Sequence, residues 1–221
     1  MGEIIKFLSS KDIIFKGGSS LLFVYGLDRF SEDLDFDSLY PISIKSVINT
    51  LKPLNFTDAN IKKDTDTTKR AILNFENNIS IKLEISNRDK DIDLEDTKNL
   101  INNMRVYTIN KIVNLKLDAM ANRTTARDLY DIAFIVDKYD NQLSNRTKRR
   151  LASKFNYNEF MDLAIAYENT FYEDKILNES ALFKSITRLS EKIPVIKKSL
   201  EIDRESKVDL KNNLKKTKSL N

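Results

Sequence analysis

Two short stretches near the amino end carry the residue types that do phosphate and metal chemistry. The first is Gly17-Gly18-Ser19-Ser20, which closes the apolar run Ile13-Ile14-Phe15-Lys16. The second is Arg29-Phe30-Ser31-Glu32-Asp33-Leu34-Asp35-Phe36-Asp37. There Leu34 and Phe36 alternate with acids, the period of a strand with one buried face. That period sets the Asp33 and Asp35 carboxylates side by side, about 7 Å apart along the strand. Like charges at this range repel unless a cation, a donor or solvent stands between them. The serines after the glycines can N-cap Leu21-Leu22-Phe23-Val24-Tyr25 as a helix. Free amides at a helix start, preceded by glycines that permit close approach, form an anion site. The pairing implies a phosphate cradle facing a divalent-cation clamp, and hence a nucleoside triphosphate (NTP) site.

These residues must be positioned by a modest protein. The chain has 221 residues, 41% of them hydrophobic and 32% charged, as in an ordinary globular chain. It contains no Cys and no His, which removes thiolate and imidazole catalysis and any Cys- or His-based metal site. A metal would have to sit among oxygens, favouring Mg²⁺ or Mn²⁺. Only four Gly and three Pro occur, so adjacent glycines are a concentrated use of a scarce residue. No apolar run approaches a membrane span and no leader is recognisable, so a cytoplasmic location is expected. The net charge is +4, and residues 207–221 carry that excess, with Lys207, Lys211, Lys215, Lys216 and Lys218 against Asp209. A solvated helix end explains this tail more simply than a nucleic-acid contact.

The expected elements are a helix over Glu3–Leu8, strands at Ile13–Phe15 and Leu34–Asp37, and an amphipathic helix from Ile44 to Leu51 before Pro53. Asn60–Arg70 reads as a loop, and 71–85 as a hairpin turning at Asn77-Asn78. On its second arm Ser80, Lys82 and Glu84 share the polar face. Asn87–Asn103 reads as an exposed connection and Arg105–Ile109 as one more strand. From Asn110 the periodicity is helical, with Thr124 or Thr125 capping a helix through Tyr139, and a small basic cluster at Lys148-Arg149-Arg150. The fold expected is α/β (α+β): a domain over 1–109 with a small mixed sheet flanked by helices, and a helical domain over 110–221.

A second constellation lies in that helical part: Lys116, Arg123, Arg127, Asp128 and Asp131. Helical spacing aligns Arg123, Arg127 and Asp131 by fours, and the bland reading is a surface ladder of salt bridges worth about 0.3–0.5 kcal/mol each. Together with the glycine-serine turn and Arg29-x-Ser31-x-Asp33-Leu34-Asp35, however, the set resembles the AbiEii/AbiGii-type toxin nucleotidyltransferases, within the polymerase-beta-like superfamily. The resemblance covers roughly residues 11–137 and leaves the C-terminal third unassigned.

The resemblance implies that Gly17, Gly18, Ser19 and Ser20 cradle the triphosphate with support from Arg29 and Ser31, and that Asp33 and Asp35 ligate Mg²⁺. Lys116 would neutralise phosphate charge, Asp128 would orient Lys116 or assist proton transfer, and Arg127 would bind nucleotide or brace the helices with Asp131. The helical domain would complete the active site through Lys116 to Asp131. A third carboxylate is expected from a neighbouring strand, with Glu84 the first candidate and Glu76 the second. The implied reaction is Mg²⁺-dependent attack of an acceptor hydroxyl on the α-phosphate of an NTP, with RNA (a tRNA 3′ end) as acceptor and a cognate antitoxin as partner. Transfer to a protein or small molecule, or a non-catalytic nucleotide-binding or partner-binding module, are the alternatives.

Overall fold

Apolar alternation in the first half of the chain builds a seven-stranded sheet, in a computed structural model that describes residues 1–89, 91–100, 103–156 and 160–218, except the side chains of 77, 160, 161 and 207–218. Two compact units result, Met1–Ile112 and Val113–Asn221.

The first unit contains α1 (Gly2–Leu8), β1 (Ile13–Lys16), α2 (Gly17–Tyr25), β2 (Asp33–Ser38), α3 (Ile44–Leu51), β3 (Asp58–Asp64), β4 (Thr68–Phe75), β5 (Ile79–Ser86), β6 (Thr97–Asn99) and β7 (Arg105–Tyr107). The strand order is β3-β4-β5-β2-β1-β7-β6. The sheet is mixed: β2 runs parallel to β5 and β1 parallel to β7, while β1 and β2 are antiparallel. Its centre is the apolar face of the first two strands, where Phe15 and Phe36 are register partners and stack at 5.2 Å between ring centroids. Both rings are fully buried, as are Leu34, Leu83 and Ile85 on the same face.

Two segments depart from expectation. Asn60–Arg70 is mostly strand, since β3 and the start of β4 pair antiparallel around a turn in which Thr65 and Thr68 bond each other. β3 is an edge strand with nearly all its residues exposed, so it needs no apolar alternation and gives no periodic signal. The connection at 87–103 likewise contains β6, a short polar strand on the opposite edge. The hairpin turn falls where the asparagines stand, and Asn78 takes φ of 59°. The strand expected to reach Ile109 ends at Tyr107, and the next helix begins at Ile109.

That helix, α4 (Ile109–Asn122), leads into α5 (Ala126–Tyr139), α6 (Asn145–Lys154), α7 (Phe160–Tyr172) and α8 (Glu179–Lys218). Thr125 caps α5, its hydroxyl accepting from the Asp128 amide. Nearly every residue of α5 from Ala126 to Val136 is buried, as expected of a helix at the centre of a helical unit. α8 packs against α5, α6 and α7, and its Leu182, Leu189, Ile193 and Ile196 form a buried stripe at helical spacing. The basic tail falls on the last turns of α8 as far as Lys218, and its side chains lie outside the described residues, as do 219–221.

Candidate active site

In the first unit, chain entry into α2 decides the geometry. Gly17 sits at φ +75°, and the helix starts there with no side-chain cap. The serines therefore do not cap the helix. Both are buried within its first turn: the Ser20 hydroxyl donates to Gly17 O at 2.9 Å, and that of Ser19 bonds Asp33 O and Ser31 Oγ. The Ser19 hydroxyl fastens the turn to β2 and that of Ser20 ties the turn to itself, leaving the cradle to backbone amides that have no intrahelical acceptor. A Cβ on Gly17 would lie 2.8 Å from Asp35 Oδ2, and one on Gly18 would lie 2.8 Å from an Arg29 guanidinium nitrogen and 3.0 Å from Ser31 Oγ. Each glycine is thus pressed against a residue singled out from the sequence. Arg29 is itself buried and donates to Phe30 O at 2.8 Å.

Register across the sheet sets the carboxylates. Asp33 lies opposite Lys82 and ion-pairs with it; Asp35 lies between Lys16 on β1 and Glu84 on β5. Burial, then repulsion from Asp33, and to a lesser degree from Glu84, raises the Asp35 carboxyl above its usual range, against the opposing pull of Lys82 and Lys16. Glu84 accepts from Arg70 at 2.7 Å, its register partner on β4, and Glu76 stands in the hairpin turn. Asp37 serves the fold, accepting from Lys16 at 2.5 Å and from the Tyr107 hydroxyl at 2.9 Å. Lys82 was not singled out from the sequence, although it shares the polar face of β5 with Glu84. Beside Asp33 and Lys82 opens a cavity of about 690 Å³ whose walls include Phe23, Phe30 and Ile79.

Among the described residues no group of three acids is arranged to hold a metal ion, so Glu84 does not complete a ready-made cage. The donor set nonetheless fits Mg²⁺ or Mn²⁺. Two carboxylates from one strand, with substrate phosphates and water supplying the remaining oxygens, is a usual way to bind Mg²⁺. The carboxyl of Asp35, raised first by burial and then by Asp33, is one that a bound cation would bring down.

The second unit holds the other constellation, and burial overturns the surface-ladder reading. Asp131 is 0% and Asp128 3% exposed. Lys116 on α4 reaches both, at 2.6 Å to Asp131 Oδ2 and 3.0 Å to Asp128 Oδ1. Arg123 and the Thr125 hydroxyl hold Asp128 Oδ2 at 2.9 and 2.7 Å. Burial alone would raise the Asp128 carboxyl, but Lys116 and the hydrogen bonds from Arg123 and Thr125 outweigh it and hold it at about 2. The alignment by fours fails because Arg123 lies between α4 and α5, outside either helix. Arg127 pairs instead with Asp174 at 2.8 Å, a residue far along the chain that no local pattern marks. Asp174 also accepts from the amides of Ile176 and Leu177; burial opposes ionisation, but these bonds and Arg127 lower its carboxyl.

Comparison with known proteins supplies what geometry does not. Residues 2–201 match the family described as nucleotidyl transferase AbiEii toxin, type IV toxin–antitoxin system. The solved structure of JHP933 from Helicobacter pylori is 30% identical, covers 96% of this chain and 94% of its own, and superposes with a TM-score of 0.83. A second H. pylori structure, provisionally assigned as a nucleotidyltransferase, is 32% identical over 91% of this chain and 93% of its own, with a TM-score of 0.78. MenT4, a nucleotidyltransferase toxin from Mycobacterium tuberculosis H37Rv, is 14% identical over 88% of this chain and 80% of its own; at a TM-score of 0.54 it shares the fold. None of the curated proteins matches the chain.

Proposed function

The chain belongs to the AbiEii nucleotidyltransferase toxin family, and from that premise we propose that it transfers a nucleotide from a Mg²⁺-bound NTP to the 3′-terminal hydroxyl of an RNA, with tRNA the preferred acceptor. The observation that carries this reading is the close approach of Gly17 to Asp35: an uncapped helix start stands beside a half-buried carboxylate that neighbours a second one, Asp33. Backbone amides of residues 17–20 bind the phosphates, and Arg29 and Ser31 brace the turn behind them. Asp33 and Asp35 hold the metal, whose bound form supplies Lewis-acid stabilisation of charge on the phosphates. Glu84 keeps Arg70 in place and stands ready as a further oxygen donor. In the transfer itself, the acceptor oxygen bonds to the α-phosphorus, the bond to the bridging oxygen of the β-phosphate breaks, pyrophosphate leaves, and the hydroxyl proton passes to solvent.

Lys116, held between Asp128 and Asp131, belongs to this proposal as the family resemblance implies, as a positioned group needed for the same activity. Arg127, anchored by Asp174, contributes to nucleotide binding. A cognate antitoxin restrains the toxin, and its RNA substrates place the activity in the cytoplasm. No helix among the described residues is long and apolar enough to cross a membrane.

The test incubates the protein with each α-labelled NTP, Mg²⁺ and total RNA, cell protein and small molecules in separate reactions. Label is expected on the 3′ ends of tRNA, lost with EDTA and lost in Asp35→Asn. Label on protein or a small molecule alone replaces the RNA assignment. Growth arrest that survives Asp35→Asn turns the reading toward a binding module.

A further inference from the structure

Helix α6 is Asn-Arg-Thr-Lys-Arg-Arg-Leu-Ala-Ser-Lys, with five cations and no acid in ten residues. Its apolar side is spent on the interior: Thr147 and Leu151 are buried there, and Phe155 just after it. Its outer side carries Arg146, Arg149 and Lys154, all exposed, with Lys148 and Arg150 half-buried. Arg150 is fixed, donating to Asn114 Oδ1 at 2.6 Å and pairing with Asp118 at 2.5 Å. Arg146, Lys148, Arg149 and Lys154 make no ion pair among the described residues. Between α6 and α4 lies an open cleft of about 400 Å³ lined by Leu117, Arg149, Arg150, Ser153 and Lys154.

We propose that this face of α6 is a docking site for the phosphodiester backbone of the RNA acceptor, contacting phosphates in a folded, base-paired region. The proposal rests on RNA being the acceptor. Four cations without an acidic partner, arranged beside a cleft, make a strong local field for a polyanion. Arg149 presents a guanidinium fork suited to phosphate oxygens. Among the described residues the cleft's lining includes no aromatic side chain, so that lining offers no platform for unpaired bases and reads charge and shape rather than sequence. The same lack argues against a protein partner here, since protein interfaces centre on buried aromatic and apolar anchors. Among the described residues, the exposed large apolar side chains of this unit, Ile165, Tyr172, Phe183, Val195 and Ile202, lie on α7 and α8.

The experiment measures binding of full-length protein to bulk tRNA and to a labelled RNA hairpin between 50 and 200 mM salt, with NTP binding followed in parallel. The double variant Arg149→Glu/Lys154→Glu is expected to bind both RNAs at least about 10-fold more weakly, and its salt slope to fall by about two. Its affinity for NTP and its thermal midpoint should match wild type. The neutral Arg149→Gln/Lys154→Gln guards against misfolding and should lie between the two in slope. Wild-type affinity and slope in both variants would overturn the proposal. So would loss of antitoxin binding with RNA binding intact, which would give the face to a protein. Failure of the RNA reading looks different: wild-type protein would then bind neither RNA while still transferring nucleotide to another acceptor.

Discussion

The two units each set a pair of aspartates close together, and they treat them in opposite ways. In the first, half-buried Asp35 stands beside Asp33 and Glu84, and its carboxyl is raised first by loss of solvent and then by repulsion from Asp33, against the pull of Lys82 and Lys16. In the second, Asp128 and Asp131 enclose Lys116, Arg123 adds a further charge, and Asp128 is lowered to about 2. The second pair is a finished electrostatic structure. The first is an unfinished one, which the cation of the proposed reaction would complete. Carboxylate pairing alone does not mark a reactive site; the sign of the residual charge does.

The sharpest way to break this contrast is Asp35→Asn. It should lower kcat by about 10³-fold, on the scale of losing a key charge-stabilising group, while the thermal midpoint rises. The sign follows from the raised carboxyl: Asp35 favours the fold fully only below its unfolded value of 3.8 and loses that contribution as pH climbs through the higher folded one. A fall in melting temperature on this substitution would refute the unfinished-site reading. The mirror substitution, Asp131→Ala, leaves Lys116 buried with one partner fewer and should destabilise the protein by about 3 kcal/mol in denaturant unfolding.

Acid titration isolates Asp128. Its contribution is present above the unfolded value of 3.8 and disappears as pH drops toward about 2, a loss on the order of 2 kcal/mol. In Asp128→Asn the same window should be flat by comparison in urea melts at stepped pH. Gly17→Ala places a methyl against Asp35 at a left-handed backbone position and should cost about 1–2 kcal/mol. Its activity should fall further than stability explains, read as a raised KM for NTP. The smallest effect is expected for Arg70→Met, which removes a part-exposed cross-strand pair worth below about 1 kcal/mol. A large drop in Mn²⁺ affinity in that variant would show that Glu84 and Arg70 belong to the metal site.

Much of the sheet was legible because its central strands have one buried and one polar face. Ile13–Phe15 and Leu34–Asp37 fall within β1 and β2, and α3 runs from Ile44 to Leu51 as the spacing implied. The edge strands β3 and β6 were not legible, since a strand at a sheet edge with exposed side chains carries no period. Lys82 was visible as a polar-face residue but carried no mark of its bond to Asp33, which depends on how β2 and β5 pair.

What the sequence determined by itself was the inventory and its local placement: a glycine turn before a helix, acids alternating on a strand, and a lysine, arginines and aspartates on a helical pair. Those follow from backbone sterics and from periods of two and 3.6 residues, which act over a few positions. The tertiary structure decided which acids are neutralised. Asp37 is taken by Lys16 and Tyr107, Asp131 by Lys116, and Arg127 by Asp174 across 47 positions. Electrostatic energy depends on separation in space and on exclusion of water, and neither is written into the order of residues.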